Sequence, residues 1–250
     1  MKGPLITWRE NMPIPKKVYS APKSAKQMIY ESLRDWIIDG TLAPGEKILD
    51  SEVAEHFSVS RTPVREAMQV LADQKLISIS PGRESRVTNI GDVDIIQVYR
   101  LLANLHSLAV DFSYSKIDKD TILHLKEINR QLSNAIQAKD NAMSRASDTA
   151  FHNIFLNLAD NDFLSRFTST LSAHVARVEN VYFGNISDTK DSVKEHMKII
   201  EMLEQHDLAG TRAAMEYNWL HTVEIYKQVQ KESTENRKRS VLAECTNLLS

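Results

Sequence analysis

Apolar positions along the 250-residue chain follow two patterns, one short and mixed, one long and helical. From Ser24, Met28, Leu33, Trp36 and Ile37 recur near one helical face, and Gly40 stands where a C-cap glycine belongs. This predicts a first helix of about four turns. TLAPGEKI then makes a Pro-Gly turn, SEVAEHF a short helix, SVS a break, and RTPVREAMQVLADQ another helix with Val64, Met68 and Leu71 on one face. At Leu76, Ile77 and Ile79 the period changes; the segment Pro81-Gly82-Arg83-Glu84-Ser85 and then Arg86-Val87-Thr88 follow. That is a strand, a tight turn and a returning strand. Helix, helix-turn-helix and hairpin together describe a winged helix.

Beyond Gly91 the pattern becomes long helices with almost no strand signal. They are expected over Asp94–Ser113, Asp118–Ala138, Ala142–Leu158, Asp162–Phe183, Thr189–Gln205 and Ala209–Val229, with breaks at KDN, ADN, GNISD and HDLAG. The expected fold is therefore mainly α. A winged helix-turn-helix domain with a small β-hairpin wing occupies 24–90, and an antiparallel bundle of six to seven helices occupies 91–230. An arm (1–23) and a tail (231–250) that could end in a short helix flank them. The interior of such a bundle is where ligands and metals are housed.

Composition narrows the class. With 42% hydrophobic residues the chain can bury real cores, and the formal net charge of −2 divides into +2 over residues 1–90 and −4 over 91–250. The difference permits an anionic partner for the front end. Cys245 is the sole cysteine, which excludes an intramolecular disulfide, a zinc ribbon and a CxxC site, and points to a reducing cytoplasm. No apolar run suits a signal peptide or a membrane span. Residues 1–23 carry Pro4, Pro13, Pro15 and Pro22 with five basic side chains, and read as a flexible basic arm.

The densest chemistry is Ser60-Arg61-Thr62-Pro63-Val64-Arg65-Glu66. Ser60 or Thr62 can cap the helix that starts here, and Pro63 is tolerated in a first turn because its missing N–H had no helical partner. Such a terminus offers unpaired amides to a phosphate. Arg61 and Arg65, four residues apart, share a face, and the planar guanidinium suits guanine in the major groove.

Gly40-Thr41-Leu42-Ala43-Pro44-Gly45, Val53-Ala54, Val59 to Met68 and Leu71 together resemble the GntR family of bacterial regulators, over about sixty residues from Gln27 to Val87. The resemblance implies that Ser60, Arg61, Thr62 and Arg65 contact double-stranded operator DNA, that Gly82 and Arg83 at the wing tip enter the minor groove, and that the protein works as a homodimer. Two positions depart from the pattern. Ser51 stands where the FadR branch carries a DNA-contacting arginine, and Glu84 where many relatives have a wing glycine.

In the bundle, Asp148 and His152 are one turn apart on one helix face and can reach one ion together. His196 lies beside a stripe of Val193, Met197, Ile200 and Leu203 and can point inward. DTAFHNIFLNLADND and EHMKIIEMLEQHDLAGTRAAM, with the helix count, resemble the FCD sensor domain. Many such domains bind zinc, nickel or another divalent ion through an aspartate and three histidines. The resemblance implies that Asp148, His152 and His196 fill three of those places, with Asn218 in the fourth. An amide oxygen is a harder, weaker donor there. Relatives often show Y-x-x-R-x-x-L-E, whereas Tyr99 is followed here by Leu102, Leu105 and His106. The expected effector is a small metabolite, a carboxylate being the class considered, held against the metal with His106 and Arg177 lining the cavity. Arg177 as a surface salt-bridge partner is the alternative.

Two other functions fit these residues less well. Asp148, His152 and His196 could hold a hydrolytic metal, making a metal-dependent hydrolase with an accessory DNA-binding domain, but no paired base, phosphate loop or nucleophile motif accompanies them. A DNA-binding protein without effector is the other. The expected product is thus a cytoplasmic transcriptional regulator, a repressor rather than an enzyme.

Overall fold

The structure, a computed structural model, describes residues 24–80, 84–92, 95–180 and 190–247. The segments expected to form the basic arm (1–23) and the wing tip, Gly82 and Arg83 included, lie outside the described residues.

The N-terminal unit contains α1 (Ala25–Asp39), β1 (Lys47–Ile48), α2 (Asp50–His56), α3 (Arg61–Asp73), β2 (Ile77–Ile79) and β3 (Ser85–Val87). Ser24 caps α1 by accepting the amide of Gln27, and Gly40 ends it at φ 85, a left-handed conformation that favours glycine. Ile29, Leu33 and Ile37 of α1 meet Val64, Ala67, Met68 and Leu71 of α3 in the core, with Leu76, Ile77 and Val87 closing it from the sheet. Met28, expected on the inner face, is exposed; Ile29 is buried in its place, a shift of one residue around the helix.

The wing is a three-stranded antiparallel sheet in the order β1-β3-β2, with Ile77 opposite Val87 and Lys47 opposite Arg86. The sequence suggested a hairpin alone. The third strand follows the Pro44-Gly45 turn, where Gly45 adopts φ 81 and its amide donates to the Val87 carbonyl at 2.9 Å. Two residues are too few for a period-2 signal.

Among the described residues six α-helices follow: α4 (Ile95–Ser113), α5 (Lys119–Ala138), α6 (Asn141–Ala159), α7 (Asp162–Val178), α8 (Lys190–Glu204) and α9 (Leu208–Asn247). The breaks carry their own stop and start signals. Lys139 and Asp160 take positive φ at the ends of α5 and α6, while Asp140 and Asn161 accept the amides of Met143 and Leu164 to start α6 and α7. Helix α9 runs on through the segment read as a tail. None of the described helices is long and apolar enough to cross a membrane.

Packing places α4 centrally, against α6, α7 and α9, while α5 bridges α6 and α8, and α8 packs on α9. Ala109, Val110, Leu125, Phe151, Phe155, Ile199, Ile200 and Met215 form the larger core. A second cluster joins Ile95, Val98, Tyr99 and Leu102 to Val175, Val178 and Val223. Helix α7 belongs to both units, because its Ala173 is part of the core built on α1 and α3.

Candidate metal centre and nucleic-acid interface

Helix α3 presents its start to solvent. Ser60, Arg61, Thr62 and Arg65 are all exposed, while Val64, Ala67 and Met68 hold the same helix to the core. Ser60, one of the two residues expected to cap, occupies the N-cap position but makes no side-chain cap bond. The amides of the first turn therefore remain donors for an anion. Arg65 is steadied from α2, its Nε donating to Asp50 at 2.6 Å. Glu84 pairs with Lys47 and Arg86, and Arg86 also donates to the Gly45 carbonyl at 2.9 Å. The hydrogen bond and charge of Lys47, then the charge of Arg86, hold the Glu84 carboxylate below its ordinary range.

Inside the bundle, Asp148 and His152 from α6 meet His196 from α8, with their nearest ligand atoms all within 4.8 Å of one another. His196 Nε2 lies 3.5 Å and His152 Nε2 4.0 Å from the Asp148 carboxylate. His196 is 0% and His152 4% exposed. The helical pattern brings this about: His196, Ile199, Ile200 and Leu203 form the buried stripe of α8, whereas Met197, expected on it, faces out. His196 lies flat on Phe151, ring centroids 3.8 Å apart.

The polar atoms here lack partners. Both ring nitrogens of His196, Nδ1 of His152 and of His106, and Nε1 of Trp219 are buried with no hydrogen bond among the described residues. Unpaired buried polar atoms are costly, so a cluster of them marks a place built to receive something. Burial drives His106 and His196 well below the ordinary imidazole value, with the nearby His152 adding to it, and burial brings His152 down to about 4. All three are neutral at pH 7, as metal ligation requires. Desolvation and then the charge of Glu195 push Asp148 up to about 7. Desolvation and then the charge of Asp148 do the same to Glu179. A divalent cation would relieve this crowding of carboxylates, and the donor set of carboxylate and neutral imidazoles fits one.

Asn218, on α9, donates its amide to Glu195 at 2.8 Å, and the same carboxylate accepts from His221 Nδ1 at 2.6 Å. Asn218 also hydrogen-bonds His152 and favours its charged form. Outside this pair, a groove of about 680 Å³ between α8 and α9 is lined by Lys194, Glu195, Tyr217 and His221, among others.

Residues 25–87 match the model of the bacterial regulatory proteins of the gntR family, and residues 97–219 match the FCD domain. The chain belongs to the GntR family, in its FCD branch. It is 28% identical over 209 residues to the HTH-type transcriptional repressor RspR of Escherichia coli K12, covering 84% of this chain and 92% of that protein. It is 25% identical over 211 residues to the HTH-type transcriptional regulator YdhC of Bacillus subtilis 168, covering 83% of this chain and 93% of that one. Among solved structures, McbR/YncC of E. coli shares the fold at a TM-score of 0.68 and 19% identity, over 81% of this chain and 97% of that chain. GntR regulators bind operator DNA and small-molecule effectors, and so this member is a DNA-binding transcriptional regulator with a sensor domain. The hydrolase alternative falls with that membership.

As a GntR protein it departs from sequence expectation at Arg177. That side chain is 3% exposed and lines no part of the histidine cluster. It is not a surface salt bridge, because its terminal nitrogens donate to Thr88 Oγ1 at 3.0 Å and to the Thr88 carbonyl at 2.7 Å, at the end of the wing. His106, by contrast, does sit at the cluster, its ring 5.1 Å from that of His152. Glu179 and Glu195 were missed. Glu195 had a signal, its place next to His196; Glu179 had none, since only the packing of α7 brings it to Asp148.

Proposed function

We propose that this regulator is a repressor that binds operator DNA as a homodimer and holds a divalent ion, zinc or nickel, in its FCD domain, where a small metabolite meets the ion. The convergence of Asp148, His152 and His196 with unpartnered imidazole nitrogens carries the sensor half of the reading. Asn218 stands beside them as a weaker oxygen donor. The bound ion would supply a Lewis-acidic anchor for the effector. A carboxylate effector would depend on that anchor, since Leu102 is apolar and Arg177 is engaged at Thr88. His106 and the indole of Trp219 line the same place.

The reading of DNA rests on the exposed start of α3, with Ser60, Arg61, Thr62 and Arg65 as contacts and Gly82 and Arg83 entering from the wing. Dimerisation is supported by an apolar stripe along α4, where Leu101, Leu108 and Phe112 are exposed on one face, beside exposed Phe163 and Phe167 of the adjoining α7.

Coupling would run through α7. His174 and Arg177 of α7, and Asn180 two residues beyond its end, donate to Gln74, Thr88 and Ile38 of the DNA-binding unit, at 2.8 Å, 2.7–3.0 Å and 2.7 Å. On the opposite side of the same turns, Glu179 lies 3.4 Å from the Tyr99 hydroxyl and within the field of Asp148. Occupancy of the cluster and the pose of the reader are thus linked by one rigid element.

The decisive experiment is a thermal-shift screen of tag-free protein with divalent metals and metabolites, followed by operator binding with each hit. A ligand that both stabilises the protein and changes operator affinity is expected. Operator binding indifferent to every metal and metabolite would overturn the reading in favour of an effectorless DNA-binding protein.

A further inference from the structure

The cluster contains a third buried imidazole whose place goes beyond lining a cavity. His106 projects from α4, is 2% exposed, and stacks on Trp219 with ring centroids 4.6 Å apart. Its Nδ1 is buried with no hydrogen-bond partner among the described residues. Two imidazoles on one ion, at metal–nitrogen distances of about 2.0–2.1 Å, hold their ring centroids roughly 4.5 Å apart when the ligands meet at a right angle and roughly 5.2 Å apart when they meet tetrahedrally. His152 and His196 are separated by 5.2 Å, and His106 and His152 by 5.1 Å, in edge-to-face arrangements. The spacing of His106 from His152 is thus that of the His152–His196 pair, while His106 stands outside the group whose ligand atoms lie within 4.8 Å of one another, so its ring would turn toward the ion on binding.

The other candidates for the remaining place lie on α9 and are held by Glu195 through nitrogen atoms. The Asn218 amide is tied to Glu195, and His221 Nδ1 to the second oxygen of the same carboxylate. Glu195 therefore holds His221 outward, and the Asn218 oxygen, which faces His152, is a harder and weaker donor than the His106 imidazole.

We propose that His106 is the third imidazole of the metal centre, so that Asp148, His106, His152 and His196 form the donor set and Asn218 acts as a positioning residue between Glu195 and His152. This rests on the reading of the cluster as a metal site. Three neutral imidazoles and one carboxylate suit a borderline ion such as zinc or nickel better than two imidazoles with an amide oxygen do. The ion would then tie α4 to α6 and α8.

The test begins with the unaltered protein. X-ray absorption spectroscopy of the zinc-loaded chain counts the imidazoles, and three are expected. Zinc affinity, measured by competition with a chromophoric chelator, should then fall at least about tenfold in His106→Phe, which keeps a ring on Trp219 but removes the nitrogens. In Asn218→Ala it should fall less. Two imidazoles in the wild type, or equal zinc affinity in wild type and His106→Phe, would overturn the assignment of His106 while leaving the metal site intact. Absence of zinc, nickel and cobalt binding by the wild type would overturn the metal reading itself.

Discussion

Arg177 and Thr88, 89 positions apart in the chain, are joined by two hydrogen bonds, one to the threonine hydroxyl at 3.0 Å and one to its carbonyl at 2.7 Å. Thr88 lies where the wing strand hands over to the bundle, and its hydroxyl also donates to the carbonyls of Lys75 and Leu76 at 2.9 and 3.0 Å. The guanidinium is thus fastened to the point at which the two units meet. Burial makes this a costly place for a charge, and holds Arg177 below its ordinary value, so the contact must be well made to persist.

Replacing Arg177 by alanine should cost about 1.5–3 kcal/mol in denaturant unfolding, since the Thr88 carbonyl loses a charged donor. The more telling effect is on communication. Operator affinity of Arg177→Ala should respond less to the ligand of the FCD domain than that of the wild type, with ligand affinity itself little changed. Lysine cannot reproduce the two-pronged hold, and Arg177→Lys should show the same uncoupling. Equal responses in variant and wild type, by fluorescence anisotropy on operator DNA, would count against α7 as the link.

At the DNA face, Arg61→Ala and Arg65→Ala should each weaken operator binding by about 1–3 kcal/mol. Asp50 makes a finer distinction. Its carboxylate orients Arg65 through Nε, so Asp50→Asn should produce a smaller loss, and one that vanishes in the Arg65→Ala background. Additive losses in the double variant would show that the ion pair does not position the arginine for DNA.

Much of this was legible in the sequence because it is local. Lys139-Asp140 and Asp160-Asn161 stop one helix and start the next with their own side chains and backbone, and the Ser60 to Glu66 motif marks the start of α3 unaided. The pairing of Asp148 with His152 follows from helical spacing alone. What could not be read depends on contacts between distant segments: β1 against β3, Arg177 on Thr88, and Glu179 beside Asp148. Periodicity says which face is buried, but not which other helix buries it. His196 shows the margin, since a stripe drawn through Met197 is one residue away from the stripe that packs.

The apolar stripe of α4 predicts the assembly. Leu108→Glu and Phe112→Glu place a charge on an exposed face, where a monomer would lose almost nothing in stability. If this face joins two copies, the double variant should sediment at the mass of one chain and lose operator affinity, because two half-sites are no longer engaged together. Wild type and variant of equal mass in analytical ultracentrifugation would place the dimer contact elsewhere.

The acidic ring around the histidines predicts how stability depends on pH. His106, His152 and His196 stay neutral in the fold, where burial depresses them, whereas in the unfolded chain they are half protonated near pH 6.5 and lose those protons by pH 8, so they add stability as the pH rises across this range. Asp148 and Glu179 behave differently, since both keep protons in the fold until about 7 but are ionised in the unfolded chain from well below pH 6. A carboxyl with a raised folded value contributes stability at low pH that is lost as the pH rises through that value. The carboxyls and the imidazoles thus act in opposite directions between pH 6.5 and 8, and ion-free protein should change little in melting temperature across that range. A divalent ion acts in the opposite sense to the carboxyls, because it binds the ionised carboxylate. Its stabilising effect in differential scanning calorimetry should accordingly be larger at pH 8 than at pH 6.5, and Asp148→Asn should abolish most of that difference. A zinc-induced rise in melting temperature of the same size at both pH values would mean that Asp148 does not give up its proton on binding.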